Sequence, residues 1–141
     1  MTCYAYEVVR DDGAYLIRFP DVPEAITVAD TADAIEADAI DCLVTALAGY
    51  VLDGRSVPGA RQARSGERVA CLPVLDEAKL ELLRALTETG TRRTDLARLL
   101  DVDEKAVRRL LDFDHQSHIG QIERALAMLG RRLEVSVEPA A

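Results

Sequence analysis

Apolar and polar residues alternate along much of the first 75 positions, which is the pattern of half-buried β-strands. The turn-forming pair Asp12-Gly13 separates the first two alternating runs and indicates a hairpin. Pro20 and Pro23 then end the second run. The pattern predicts four strands, at residues 3–9, 14–19, 25–29 and 67–74.

From Asp30 onward the apolar period lengthens from two residues to about 3.6, which predicts one long helix. Asp30 or Thr31 is placed to cap its start and Gly54 to end it. The apolar stripe of this helix consists of Ile35, Ala39, Cys42, Leu43, Ala46, Leu47 and Tyr50. A small sheet with one long helix packed on it is the simplest domain that these elements can form.

The remainder of the chain has a helical pattern almost to its end. Gly90 and Gly130 are placed to end helices, and Ser117 to cap the last one. The four predicted helices span residues 76–88, 94–100, 103–111 (or 104–111) and 118–129. Residues 132–138 alternate again and predict a C-terminal strand. We therefore expect an α+β protein with an N-terminal unit, residues 1–75, and a C-terminal unit, residues 76–141.

Charge is distributed unevenly between these two units. The 141-residue chain has a formal net charge of −8, and 49% of its residues are hydrophobic, enough for folded cores. Residues 1–75 contain twelve acidic and six basic residues, whereas residues 92–109 contain six basic and four acidic residues. Two units of different charge are suited to two different partners.

The cysteines and the apolar runs bear on the cellular compartment. Cys3, Cys42 and Cys71 are odd in number and far apart, which predicts reduced thiols rather than a disulfide framework. The first residues lack the pattern of a secretory signal, and no apolar run reaches the roughly 18 residues of a membrane span. We expect a cytoplasmic protein with no membrane partner.

Residues 96–112 have the spacing of a helix-turn-helix. Ala97 supplies the small residue needed where the two helices touch, and Asp101, in the turn where Gly is usual, tolerates a left-handed conformation. The apolar residues expected to hold the second helix across the first are Leu96, Leu100, Val102, Val107 and Leu110. The alternative is a plain helical hairpin with a solvated charged face.

A helix-turn-helix predicts where DNA would be contacted. Lys105, Arg108 and Arg109 face outward from the second helix, where Arg can read guanine and Lys can hold phosphate. The start of the first helix favours phosphate through its backbone N–H groups. The candidate DNA-contacting residues are Arg92, Arg93, Thr94, Lys105, Arg108, Arg109, His115, Gln116 and Ser117. For the last three, the alternative is a surface loop in which Ser117 caps the next helix.

The whole chain resembles the HicB antitoxin family, the partners of HicA toxins in bacterial toxin–antitoxin pairs. In the N-terminal unit the resemblance rests on YLIRFPDVPEAITVADTADAI, followed by a long helix and GRSVPGA. In the C-terminal unit it rests on KAVRRLLDFDHQSHIGQIERALAMLGRRLEVSVE, which is similar to the family's Xre-type helix-turn-helix domain. The family pattern has Gly in place of Glu24 or Ala25, so the start of the third strand departs from it.

The resemblance implies a division of labour. The N-terminal unit would have a partial ribonuclease H-like fold and bind a HicA-type toxin, a small basic ribonuclease that degrades messenger RNA with a histidine. The C-terminal unit would bind the operator of its own operon and repress it, more effectively with toxin bound. The candidate toxin-contacting residues are the acidic residues of the long helix, Asp33, Glu36, Asp38 and Asp41. No cofactor is implied.

The C-terminal strand is too short to be stable alone, so we expect it to pair with the same strand of a second subunit. Leu133, Val135 and Val137 would then form a dimer contact, with a tetramer left open. The alternative is that this strand joins the sheet of the N-terminal unit.

Two other functions are weighed against that of an antitoxin. The first is a stand-alone helix-turn-helix transcriptional regulator whose N-terminal unit senses a signal or oligomerises. The second is a metal-dependent ribonuclease, for which Glu7 and Asp30 are too few strand carboxylates. His115 and His118 lie three residues apart without further ligands nearby, so we expect neither catalysis nor a metal site.

Overall fold

The structure is a computed structural model of the chain and describes residues 2–140. The strands are β1 (Cys3–Asp11), β2 (Ala14–Phe19), β3 (Val22–Ala29) and β4 (Arg68–Cys71). The helices are α1 (Ile35–Leu52, after a 3-10 turn at Ala32–Ala34), α2 (Val74–Thr89), α3 (Arg93–Leu100), α4 (Glu104–Leu111) and α5 (Ile119–Met128). The predicted α+β class is confirmed, as is the order of the four strands and five helices up to α5. No helix in this part of the chain is long and apolar enough to cross a membrane.

The four strands form one antiparallel sheet in the order β3-β2-β1-β4. The predicted hairpin joins β1 to β2, and Asp12 and Gly13 at its tip both have positive φ angles, 48° and 82°. The fourth strand is shorter than predicted, because Pro73 stands at the N-cap of α2 and Val74 already belongs to that helix. In the strand order β3-β2-β1-β4, β3 and β4 are the two edges of the sheet.

Helix α1 packs on one face of this sheet and closes the first hydrophobic core. Ile17 and Phe19 of β2 are buried there beneath Leu43 and Leu47 of α1. The apolar stripe predicted for the long helix is confirmed, with Cys42 and Ala46 only partly buried at its margin. Thr31 stands at the N-cap of the 3-10 turn but makes no side-chain capping bond.

Helices α2 to α5 enclose a second hydrophobic core, and α2 contributes to both. Leu80 and Leu83 of α2 are buried in the first core, whereas Leu82 and Leu86 of the same helix are buried in the second. The boundary expected after residue 75 therefore falls inside a helix that the two cores share.

The pair α3 and α4 is joined by residues 101–103. Asp101 adopts the left-handed conformation expected of it (φ 54°, ψ 48°), and Asp103 caps α4 by accepting the Ala106 N–H at 2.8 Å. Five residues of the predicted set are buried in the second core, namely Leu96, Ala97, Leu100, Val107 and Leu110. Val102 is instead 41% exposed, because it lies in the turn directly after the left-handed residue.

The expectation of three reduced thiols is wrong for two of the cysteines. Cys3 of β1 lies directly opposite Cys71 of β4, and their sulfur atoms are bonded. They are 68 residues apart in sequence but become neighbours because β4 pairs with β1. Cys42 is free and half-buried.

Residues 131–140 form no strand in this single chain, in contrast to the strand predicted at 132–138. Leu133 packs against the second core, but Val135 and Val137 are 74% and 93% exposed. The alternative in which this segment joins the N-terminal sheet is wrong, since β3 and β4 are the edges of that sheet. A strand needs a partner for its backbone groups, and this segment has none within the described residues.

Candidate functional sites

Helix α4 presents three cations on one exposed face. Val107 and Leu110 hold its other face in the second core. At about 100° per residue this orientation turns Lys105, Arg108 and Arg109 to solvent, as predicted. The ion pairs found within residues 2–140 involve none of these three side chains. Their charge is therefore available to an anionic partner.

The start of α3 carries a second exposed basic group. Arg93 and Thr94 are exposed in its first turn, and Arg92 stands at the N-cap position. The guanidinium Nε of Arg92 lies 3.0 Å from Asp95 Oδ2. Hydrogen bonding in this pair raises the pKa of Arg92 and lowers the pKa of Asp95. The Arg92 side chain is still 77% exposed, so a phosphate can reach it.

A buried lysine lies beneath the C-terminal end of α4. The Lys79 ammonium is 3.0 Å from the carbonyl oxygen of Arg109, 2.5 Å from that of Asp112 and 2.7 Å from that of His115. It also donates to the Ser117 hydroxyl at 2.9 Å. Burial lowers the pKa of Lys79 below its usual range. The hydrogen-bond acceptors of this ammonium are therefore three backbone carbonyls and one hydroxyl, with the carboxylates of Asp112 and Asp76 acting on it only through their charge.

Sequence analysis missed Lys79, although a signal for it exists. The residue stands four and seven positions before the buried Leu83 and Leu86, on the inward side of α2. It is also one of only two lysines in a chain whose other basic residues are arginines. A lysine in an apolar helical stripe indicates an internal acceptor set for its ammonium.

The three candidate DNA-contacting residues between α4 and α5 differ in their exposure to solvent. Gln116 is exposed and His115 is half-buried, with its Nδ1 3.0 Å from the Ser117 hydroxyl. Ser117 is buried, donates to the Arg109 carbonyl at 3.2 Å, and leaves the N-cap position of α5 to His118. Both predictions for Ser117 are therefore wrong: its side chain is not exposed to a phosphate, and it does not cap α5. A cavity of about 380 Å³ opens between this segment and α4.

Two of the four acidic candidates come together on the N-terminal unit. Asp38 and Asp41 of α1 line a groove of about 270 Å³ with Glu24 of β3. Asp33 lies in the 3-10 turn and Glu36 in the first turn of α1, both exposed and outside that groove. The groove thus brings the predicted Asp38 and Asp41 together with Glu24. In the sequence analysis Glu24 was noted only as a departure from the family pattern.

Glu24 is held in place by a small polar cluster at the end of α1. Its carboxylate accepts a hydrogen bond from the Tyr50 hydroxyl and pairs with Arg55 at 2.9 Å. The Arg55 guanidinium also lies 4.0 Å above the Tyr50 ring. The hydrogen bonds from Tyr50 and then Arg55 lower the pKa of Glu24. The cluster ties edge strand β3 to the C-terminal end of α1.

The face of the sheet that α1 does not cover carries an apolar row. Val9, Leu16 and Val28 are directly opposed across β1, β2 and β3. Val9 and Val28 are 44% and 53% exposed, and the neighbouring Ile26 of β3 is 55% exposed. Because β3 is an edge strand, one side of its backbone is also unpaired. The N-terminal unit thus offers both apolar and acidic surface to a partner.

Comparison with known proteins decides the family. Residues 3–81 match the family model described as "HicB_like antitoxin of bacterial toxin-antitoxin system". The chain belongs to the HicB-like antitoxin family.

Full-length relatives of this HicB-like chain carry the same name. Antitoxin HicB of Pseudomonas fluorescens (strain Pf0-1) is 41% identical over 138 residues, covering 97% of this chain and 94% of that protein. Antitoxin HicB 2 of Photorhabdus laumondii subsp. laumondii is 35% identical over 132 residues, covering 94% of each. Antitoxin HicB of Escherichia coli (strain K12) is 30% identical over 125 residues, covering 88% of this chain and 90% of that protein.

The family resemblance read from the sequence motifs is therefore confirmed. The match to the family model covers the sheet, α1 and the first half of α2, and the full-length relatives extend the similarity into α3–α5. Membership among the antitoxins implies a toxin as partner. The relatives are named antitoxins and not enzymes. Over the described part of the chain, no three His, Cys, Asp or Glu side chains are grouped so that they could hold a metal ion.

Proposed function

We propose that this HicB-like antitoxin neutralises a HicA-type, mRNA-degrading toxin by direct binding and represses its own operon by binding operator DNA. The observation that carries the proposal is the exposed cationic face of α4, formed by Lys105, Arg108 and Arg109. In this proposal α3 and α4 act as a helix-turn-helix. The sheet and α1 form the family's partial ribonuclease H-like unit and bind the toxin.

The size and chemistry of α4 suit the major groove of DNA. An α-helix with its side chains is about 10–12 Å across, similar to the width of that groove. Arg108 and Arg109 can each donate two hydrogen bonds to a guanine edge, and Lys105 can hold a phosphate. Further phosphate contacts are proposed for Arg92, Arg93, Thr94, His115 and Gln116. These contacts explain how a chain of net charge −8 can bind a polyanion, since its acidity lies mainly elsewhere.

The acidic N-terminal unit suits a basic toxin. Opposite charges steer two proteins together and orient them at the interface. The groove formed by Asp38, Asp41 and Glu24 lies beside the unpaired edge of β3, which adds exposed Ile26 and backbone groups. Asp33 and Glu36 extend the acidic surface along the start of α1.

We further propose that the antitoxin is a homodimer through its C-terminal segment. Val135 and Val137 are exposed, and their backbone can pair with the same segment of a second chain. Leu133 already packs on the second core and would anchor such a strand. A dimer would double the phosphate contacts and set two α4 helices at a fixed separation.

The DNA-binding half is tested with the operon's upstream region and arginine variants. Arg108→Ala is expected to cost about 1–3 kcal/mol of operator binding and to relax recognition of one base. Arg92→Ala is expected to weaken binding to all sequences and to lower the salt dependence. Arg68→Ala, an exposed arginine on β4, is the matched control and is expected to bind normally. Equal operator affinity in the wild type and an Arg92/Arg108/Arg109 triple alanine variant would contradict the proposal.

The toxin-binding half is tested by co-expression with the protein encoded beside this gene. Rescue of growth and a complex on size exclusion are expected for the wild type. Asp38→Asn with Asp41→Asn is expected to weaken the complex more than Asp33→Asn with Glu36→Gln, which removes the same charge outside the groove. If no complex forms while operator binding persists, the chain is a stand-alone regulator.

A further inference from the structure

We propose that Lys79 is a positioning residue for operator binding. Its buried ammonium fixes the C-terminal end of α4 and the segment 112–118, so that the side chains facing DNA keep one geometry. The inference rests on the proposed function, because it takes this face of the C-terminal unit to be the DNA-contacting face.

The end of α4 differs from the ends of the two preceding helices. α2 ends at Gly90 and α3 at Asp101, both in the left-handed conformation that lets a helix satisfy its own last carbonyls. α4 ends at Asp112 in an extended conformation (φ −86°, ψ 113°). In addition to one backbone N–H each, the carbonyls of Arg109 and Asp112 at this end accept hydrogen bonds from Lys79 of α2. A side chain from another helix therefore completes the end of α4.

The charge of Lys79 matches what it binds. The last carbonyls of a helix form the negative end of its dipole, where a cation is stabilising. An ammonium group has three N–H donors, and four acceptor atoms surround this one at 2.5–3.0 Å. All four acceptors come from residues 109–117, a single stretch of chain. An uncharged side chain of the same length would leave each carbonyl with its backbone donor but without the ammonium. It would remove the one charged group that binds all three carbonyls together.

The groups that Lys79 holds are next to the residues proposed to face DNA. Arg108 and Arg109 form the last turn of α4, and the carbonyl of Arg109 is one of the four acceptors. His115 contributes another acceptor, and Gln116 follows it on the exposed side. Lys79 itself is fully buried and so cannot touch a phosphate. Its effect on DNA binding therefore acts through the position of α4 and of segment 112–118.

The test compares Lys79→Met with Lys105→Met, which replaces the chain's only other lysine, on the exposed face of α4. Amide hydrogen exchange across residues 109–118 is measured together with affinity for the operator and for an unrelated duplex. For Lys79→Met we expect exchange in this stretch to rise and operator affinity to fall about tenfold or more, with little change on the unrelated duplex. For Lys105→Met we expect both affinities to fall together, with exchange unchanged.

The outcomes separate this inference from the proposed function. Operator affinity equal to wild type in Lys79→Met would overturn the positioning role and leave the proposed function standing. Failure of the wild type to bind the operator would overturn both. If Lys79→Met does not fold, Ser117→Ala removes one member of the same cluster, and it is expected to lower operator affinity in the same direction by a smaller factor. Wild-type operator affinity and exchange in that variant would then overturn the inference.

Discussion

Arg61 fixes the long loop before β4 by binding two carboxylates at once. Its guanidinium nitrogens lie 2.7 and 2.8 Å from the two oxygens of Glu67 and 3.4 Å from Asp21 Oδ1, and its backbone N–H donates to Asp21 Oδ2 at 3.0 Å. The hydrogen bonds from Arg61 and then from the Arg64 N–H lower the pKa of Glu67 from 4.5 to about 2.

This pair predicts a specific pH dependence of stability. Because the pKa of Glu67 in the folded chain lies below its ordinary value, the pair stabilises the fold above about pH 4.5. That contribution is lost as the pH falls toward about 2. Glu67→Gln is therefore expected to lower the free energy of unfolding at neutral pH and to approach wild type in acid. Urea unfolding across this pH range measures the difference, with exposed Glu123→Gln as control. A Glu67→Gln deficit that is independent of pH would contradict the interpretation.

Individual residues could be predicted from sequence only where helical periodicity decides their environment. Periodicity alone places Lys105, Arg108 and Arg109 outward, and the structure agrees. Periodicity also places Lys79 on the inward side of α2, but it does not identify its partners. Lys79 and Ser117 acquire these partners only when the end of α4 packs over α2. Chain packing, and not local pattern, decides the environment of such residues.

Among the secondary-structure elements, the turn between α3 and α4 depends on one residue in an unusual conformation. Asp101 has φ 54°. In this left-handed region a residue with a Cβ atom is strained by roughly 1–2 kcal/mol, Asn and Asp are strained less, and Gly is free of this strain. Asp101→Gly is expected to be neutral or to stabilise the fold by up to about 1 kcal/mol, and Asp101→Val to destabilise it by about 1–2 kcal/mol. Thermal unfolding measures both.

Asp53 provides the matched control for this prediction. It also ends a helix, α1, but with φ −81°, which any residue adopts. Asp53→Val is therefore expected to cost clearly less than Asp101→Val. Equal costs at the two positions would show that backbone conformation is not the cause.

Elements could be predicted where their hydrogen bonds are local, and less well where they are not. The helices and the β1–β2 hairpin close their bonds within a few residues, and their predicted ranges agree closely with the structure. The range predicted for β4 extends too far toward its C-terminal end. Val74 is apolar and β-branched, but it follows Pro73, the N-cap residue of α2, and belongs to that helix. Residues 132–138 have a strand pattern, but a strand forms only with a partner, and the pattern does not name one.

Across the whole molecule, α2 connects the two units because it contributes to both hydrophobic cores. Leu83 is buried in the first core, while Leu82 on the same helix is buried in the second. Phe113, from the segment after α4, also packs on the first core. We therefore expect the units to unfold in a single transition.

The tyrosines allow this expectation to be measured. All four lie in the N-terminal unit and the chain has no Trp, so tyrosine fluorescence reports that unit, whereas far-UV circular dichroism reports mainly the helices. Leu83→Ala is expected to lower stability by about 2–5 kcal/mol and to shift both signals together. Leu99→Ala, at a position 51% exposed, is the control. A fluorescence transition that moves while the dichroism transition stays would contradict the shared helix.

The bond between Cys3 and Cys71 also changes the covalent connectivity of the antitoxin. It closes a covalent ring that contains the four strands, α1 and the loop of residues 53–67, whereas the C-terminal unit follows outside this ring. A protease that cuts once within that loop therefore opens the ring without releasing any fragment. Both pieces stay in one covalent molecule until a reductant cleaves the sulfur–sulfur bond. Cleavage of the backbone and release of a fragment of the N-terminal unit are therefore two separate chemical events.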